Sequence, residues 1–423
     1  MLKDYLTAEQ SGEEVSSVVN AVRGGIPSAV FGVSFAEKCH VSSAFDLPLL
    51  YVAKDSLYAA KVVEELKGLT GEDVVFLPAK DDVLLYKTAF DKSRFYERLS
   101  AVYKIQHGAK YVVATFESLL QLFPKNLPSV EIKRGQTLDP YKLASVLTKF
   151  GYKREEFAEE RASFALRGDI FEIYPVNGTD IYRVDFFGDE IETITRYDGG
   201  NKEEKTIIGG FTAIAATDAI IEEKDREEIK ERLRASVLKF KTLVVKDDAR
   251  RIAAEISEKI DDGGTSDAFQ FILPILPSVT DDITSFMPKD TVVVYDECKM
   301  LSDSLSAIIK EHTERVLTLS RAGRAMDFTI LQLSDSNKLI ERLNKFRRVA
   351  VQNITTAVNF FNPLKTFNVK CSPLARYSAK PDDLFRDVSN WKFSGYKVII
   401  CCGSTVRAEK MADNLLEHGS PCV

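Results

Sequence analysis

The sequence predicts an α/β protein in which a parallel sheet is interrupted by an inserted α+β segment and followed by a small C-terminal α/β unit. Three observations carry that prediction. Over residues 1–130 short apolar runs alternate with stretches of helical spacing, the pattern of strands and helices in a parallel sheet. Between residues 164 and 195 the period switches to two, as in an antiparallel meander. Past residue 206 the α/β character resumes. A chain of 423 residues with 45% hydrophobic content accommodates two to four such domains.

Taken in order, residues 28–33 and 47–52 are apolar runs suited to buried strands, residues 58–66 have helical spacing, and residues 74–77 and 111–114 are further short strands. The first strand leads into Gly32-Val33-Ser34-Phe35-Ala36-Glu37-Lys38-Cys39, which has the length and the lysine of a GxxxxGK[ST] phosphate loop. Two parts of that chemistry are missing. Glu37 stands where a glycine lets the backbone close on phosphate, adding a Cβ and a negative charge. Cys39 replaces the hydroxyl that would hold magnesium. The loop is therefore expected to be degenerate and not to bind ATP.

Residues 131–205 form the insertion. Asp139-Pro140 supplies a helix cap and a proline at the first helical position, and Leu143, Val146, Leu147 and Phe150 follow at helical spacing up to Gly151. Residues 164–173 then read as one strand ending at Pro175, with Gly168 inside it marking a bulge that re-aims Arg167. After Asn177-Gly178 the next strand alternates, placing Tyr182, Val184 and Phe186 on one face and Arg183, Asp185 and Phe187 on the other. Gly188-Asp189 turns the chain into a last strand at 191–195. Phe186 and Phe187 cannot enter the same core, and Phe187 is assigned to the outside. An exposed aromatic flanked by arginines is the composition of an interface centre, although a solvated sheet face tolerates one incidental Phe. The window 131–205 holds 12 Lys and Arg against 16 Asp and Glu, which favours a protein partner over DNA.

The run FALRGDIFEIYP followed by YRVDFFGDEIETI resembles the small domain that the UvrB helicases of nucleotide excision repair share with the Mfd transcription-repair coupling factors. That resemblance implies docking onto UvrA, with Arg167, Arg183 and Phe187 as contact residues. Asp185 would hold Arg183 in place, and Gly168 would support Arg167. Residues 291–298, TVVVYDEC, form an apolar strand ending in Asp296-Glu297, the form in which helicase-like P-loop proteins present a magnesium-linked carboxylate and a water-orienting one. In UvrB that strand follows the small domain, as it does here. The resemblance thus implies one UvrB-like sheet built from residues 1–130 and 206–345, the UvrA-interaction domain at 131–205, and a third domain at 346–423. In that last part residues 397–402 read as a strand, and residues 406–416 as a helix after a Gly403-Ser404-Thr405 turn.

The resemblance implies a non-catalytic adaptor, expected to recruit UvrA to stalled RNA polymerase. The resemblance ties the polymerase, DNA, ATP and magnesium to modules absent from this chain, so no cofactor is expected in it. The alternatives are a fragment of a UvrB-type helicase, which needs a working phosphate loop and a long aromatic-rich hairpin, or an active P-loop ATPase. Residues 78–99, where such a hairpin would lie, hold only Tyr86, Phe90, Phe95 and Tyr96 and pass into a helical run. The balance of 57 basic against 63 acidic residues argues against a surface that grips phosphate backbone throughout. Six scattered cysteines without a CxxC pair indicate neither zinc nor a disulfide framework. The polar N-terminus and the lack of a spanning apolar run indicate a cytoplasmic protein with no membrane partner.

Overall fold

The computed structural model describes all residues except 1–12, 82–83, 85, 87–90, 201–202, 370–376, 378–380, 401, 403, 421 and 423. Phe90, Gly403 and two of the six cysteines, Cys371 and Cys401, lie outside the described residues. The chain divides into two units, Met1–Lys370 and Cys371–Val423.

In the first unit, β1 (Ser28–Phe31), β2 (Leu49–Ala53), β3 (Val74–Leu77) and β4 (Tyr111–Thr115) alternate with helices Phe35–Ser43, Ser56–Thr70 and Lys92–Gln106. Asp55 caps the second of these helices by accepting from the Tyr58 amide at 2.7 Å, and Gly71 ends it at φ +68°. The chain then passes through β5 (Phe123–Pro124) and β6 (Ser129–Lys133) into the helix Pro140–Lys149, capped by Asp139 as its sequence predicts. There follow β7 (Lys153–Arg154), β8 (Ser163–Arg167), β9 (Ile170–Tyr174), β10 (Ile181–Phe187), β11 (Glu190–Tyr197), β12 (Lys205–Ile207) and β13 (Gly210–Ile214). Two helices, Arg226–Leu238 and Leu243–Asp262, lead to β14 (Val279–Thr280) and β15 (Val292–Asp296), and the unit closes with β16 (Arg347–Gln352) and β17 (Lys365–Asn368).

The main sheet is seven-stranded in the order β17-β1-β16-β15-β2-β4-β3, and every pairing in it is parallel. Its strands are apolar on both faces. Leu50, Val52, Val293 and Tyr295 enter one core with the helices Lys92–Gln106, Cys298–Arg321 and Ser336–Leu343, while Leu49, Tyr51, Val292 and Val294 enter the other with helices Glu13–Arg23, Phe35–Ser43 and Ser56–Thr70. Strands from both ends of the sequence complete this sheet: Val292 pairs with Leu49, and Ser28 lies between Val349 and Lys365. Because β16 and β17 belong here, the C-terminal unit starts at Cys371 rather than at 346.

The insertion enters on β6 and leaves on β13, which pair antiparallel from Ser129↔Ile214 to Lys133↔Gly210. This ribbon carries it to Ile214, past the 205 read from the sequence. Between its ends lies the six-stranded sheet β12-β11-β10-β9-β8-β7. Residues 163–174 are two strands, not one. Gly168, at φ +59°, and Asp169 form a two-residue turn, so that Arg167 pairs with Ile170 and Leu166 with Phe171. Phe164 and Phe171 stack at 5.4 Å in a core that also takes in Leu143, Ile173, Val184 and Phe186, and Phe95 and Leu99 from the helix Lys92–Gln106.

The unit Cys371–Val423 contains helices Pro381–Phe393 and Thr405–Glu417, the latter capped by the Ser404 hydroxyl. Phe385, Val388 and Leu415 form its core. The expected strand at 397–402 is not formed among the described residues. An extended run needs a neighbouring strand for its backbone groups, and Val398 and Ile400 instead pack on the helices. No described helix is long and apolar enough to cross a membrane.

Candidate functional site

The outer face of the meander follows from register. Glu172 lies opposite both Ala165 and Arg183, and Ile170 opposite both Arg167 and Asp185, so these residues share one face. The other face is core: Val184 is fully buried and Phe186 is 5% exposed. Phe187 is 81% exposed. The irregularity in this sheet falls between β10 and β11, where Asp185 pairs with Thr193 but Phe186 with Ile191. It does not fall at Gly168, as the sequence suggested.

Both arginines are fixed from within. Arg167 Nη2 donates to Glu172 Oε2 at 2.7 Å, and its guanidinium lies 4.4 Å from the centre of the Phe157 ring. Glu172 is only 5% exposed, so its charge requires that partner. Arg183 Nε donates to Asp185 Oδ1 at 2.9 Å, and this bond raises the pKa of the guanidinium. Sequence reasoning brought Arg167, Arg183, Asp185 and Phe187 to one face, and the structure places them there. It missed Glu172 and Phe157. A turn read at Gly168-Asp169 would have set Glu172 opposite Ala165, on the same face as Arg167; the ring of Phe157, from the loop after β7, gives no local signal.

The degenerate phosphate loop lies at the carboxyl ends of β1 and β15. Gly32 has φ +80°, and a Cβ there would meet the carbonyl oxygen of Val369, beyond the end of β17, at 2.4 Å. Lys38, 3% exposed, donates to Asp296 Oδ1 at 2.7 Å and to Glu297 Oε1 at 2.6 Å. The remaining oxygen of Asp296 accepts from the Tyr51 hydroxyl at 2.6 Å, and Glu297 Oε1 also accepts from the Asn353 amide at 2.8 Å. Burial, and then the charge of Asp296, raise the Tyr51 pKa well above the usual phenol value. Cys39 is fully buried, and that burial raises its thiol pKa. Glu37 lies in the first turn of the helix Phe35–Ser43 with Oε2 buried and without a hydrogen-bond partner. A pocket of about 400 Å³ remains beside this cluster, walled by Phe35, Tyr58, Met300 and Ile354.

Residues 130–218, which contain the whole outer face just described, match the UvrB interaction domain family. The chain carries a UvrB interaction domain. Over 97% of its length it is also similar to the transcription-repair-coupling factors of Bacillus subtilis and Myxococcus xanthus, at 21% and 22% identity. It spans 36% of the length of each of them. The UvrABC system protein B of Thermotoga neapolitana is 27% identical over 55% of the chain and 40% of its own length. These similarities agree with the UvrB-homology region of a coupling factor and with a UvrB-like α/β fold that holds the UvrB interaction domain as an insertion. Arg167, Arg183 and Phe187 all lie on the outer sheet face of that domain, opposite its core.

Proposed function

We propose that this chain is the non-catalytic adaptor region of a cytoplasmic transcription-repair coupling factor, and that its UvrB interaction domain recruits UvrA through Arg167, Arg183 and Phe187. The observation that carries the reading is the 81% exposure of Phe187 beside two arginines held in place by internal carboxylates. Guanidiniums fixed in this way lose little side-chain entropy on docking and keep free N–H groups to donate, while the phenyl ring supplies a desolvated centre. RNA polymerase and DNA would be engaged by other parts of the parent protein, an ATP-dependent translocase that displaces the stalled polymerase.

ATP and magnesium belong to that translocase activity in this reading, not to residues 32–39. Lys38, the group that would reach a nucleotide's phosphates, is spent on Asp296 and Glu297, and Asp296, the carboxylate that would face magnesium, accepts on both oxygens. The same arrangement opposes a UvrB-type helicase fragment or an active P-loop ATPase.

The test is titration of UvrA into the chain by calorimetry, with thermal melts of each variant. Phe187→Ala is expected to lose about 2 kcal/mol or more of binding without melting earlier. Phe186→Ala, which empties a core position, is expected to cost about 3–5 kcal/mol of stability. UvrA binding by Phe187→Ala at the wild-type level would refute the proposal.

A further inference from the structure

The charges around Phe187 define the recess that receives it, an inference that rests on the proposed UvrA docking. Arg167 and Arg183 are each neutralised within the domain, by Glu172 and Asp185. They therefore contribute almost no net positive charge to the face. Three other carboxylates are not neutralised. Glu190 is the cross-strand partner of Phe187, Asp189 sits in the turn between them, and Asp169 is brought alongside by the bond from the Phe186 amide to its carbonyl at 2.8 Å. All three residues are exposed, and none forms an ion pair among the described residues. Arg134, close to β11, directs its Nε to the Glu192 carbonyl at 3.0 Å and pairs with none of them.

We infer that Phe187 docks into an apolar recess with a basic rim on the partner, the three carboxylates steering the approach while the two arginines, their charge balanced by Glu172 and Asp185, serve as oriented hydrogen-bond donors. An acidic rim would face three uncompensated like charges at the point of deepest contact, which is costly where water is excluded. Complementary charges of this kind act mainly on the association rate and on its salt dependence.

The experiment is surface-plasmon-resonance binding of UvrA to the full chain at low and high salt. It compares wild type with the triple variant Asp169→Asn, Asp189→Asn, Glu190→Gln, and with Phe187→Ala. Asn is at home in both turns, so the triple variant is expected to melt like wild type. The expected result is binding weaker by tenfold or more, chiefly through slower association, with most of the salt dependence gone. Should the triple variant melt early, Glu190→Lys alone, on an exposed strand position, is expected to weaken binding in the same way. Equal or tighter binding by the folded charge variant would overturn the inference and leave the docking intact if Phe187→Ala still fails to bind. Wild-type binding by Phe187→Ala would instead remove the docking reading itself.

Discussion

Replacing Lys38 with Met separates two roles that this lysine can have. A lysine that waits for phosphate contributes little to the empty fold, and its removal costs affinity for nucleotide. Here the ammonium is 3% exposed and lies 2.7 and 2.6 Å from two carboxylates, of which Asp296 is itself 1% exposed. Taking away the cation leaves two adjacent carboxylates that share no positive charge, with the Tyr51 hydroxyl and the Asn353 amide among their neutral donors. Breaking a buried pair in this way costs about 3–5 kcal/mol. At about 2 °C per kcal/mol for a domain of this size, the melting temperature falls by roughly 6–10 °C. Adding Asp296→Asn removes one of the stranded charges, so the double variant is expected to lose less than the two single losses combined. Calorimetric melts of the four proteins, with and without magnesium-ATP, provide the measurement. An unchanged melting temperature for Lys38→Met, or a wild-type protein that ATP stabilises, would refute the ion-pair account.

Arg167→Ala is expected both to weaken UvrA binding and to lower the melting temperature, because Glu172 is left buried without its cation. Restoring the melt with Glu172→Gln, without restoring binding, would separate those effects. Native-state alkylation read by mass spectrometry at pH 8 should modify Cys422, which is exposed, and spare Cys39 and Cys298 until the chain unfolds. The Cys298 thiol is pushed up to about 12, chiefly by burial, so the unfolded chain ionises first. The stability linked to that thiol is complete below its unfolded value near 9 and is lost as pH rises toward 12, which alkaline melts of wild type and Cys298→Ala would register.

The elements most legible in the sequence were those with a local signal. Strict alternation from Tyr182 to Phe187 gave both faces of β10, and Asp139-Pro140 gave the start of its helix. Gly168 was misread because a two-residue turn inside a continuous apolar run looks like the interior of a strand, and only the pairing of Arg167 with Ile170 reveals it. The placement of β16 and β17 had no local signal at all. Parallel strands bring together residues as distant as Ser28 and Val349, and the boundary that the resemblance implied, 346, fell just ahead of β16. The same holds for Lys38: its motif announced a phosphate ligand, whereas its partners arrive from more than 250 residues away.

The ribbon of β6 and β13 sets how the meander is mounted. A domain hung on one strand could swivel about that strand; this one is held by two, paired along their length, and braced by Phe95 and Leu99 of a helix that belongs to the main sheet. Torque on the outer face is therefore passed into the sheet instead of being absorbed by a pivot. A partner docked on Phe187 as proposed would be held at a fixed heading, as a tool is held by a rigid handle. A fragment cut at 131 and 205 would lose one side of that handle together with the brace.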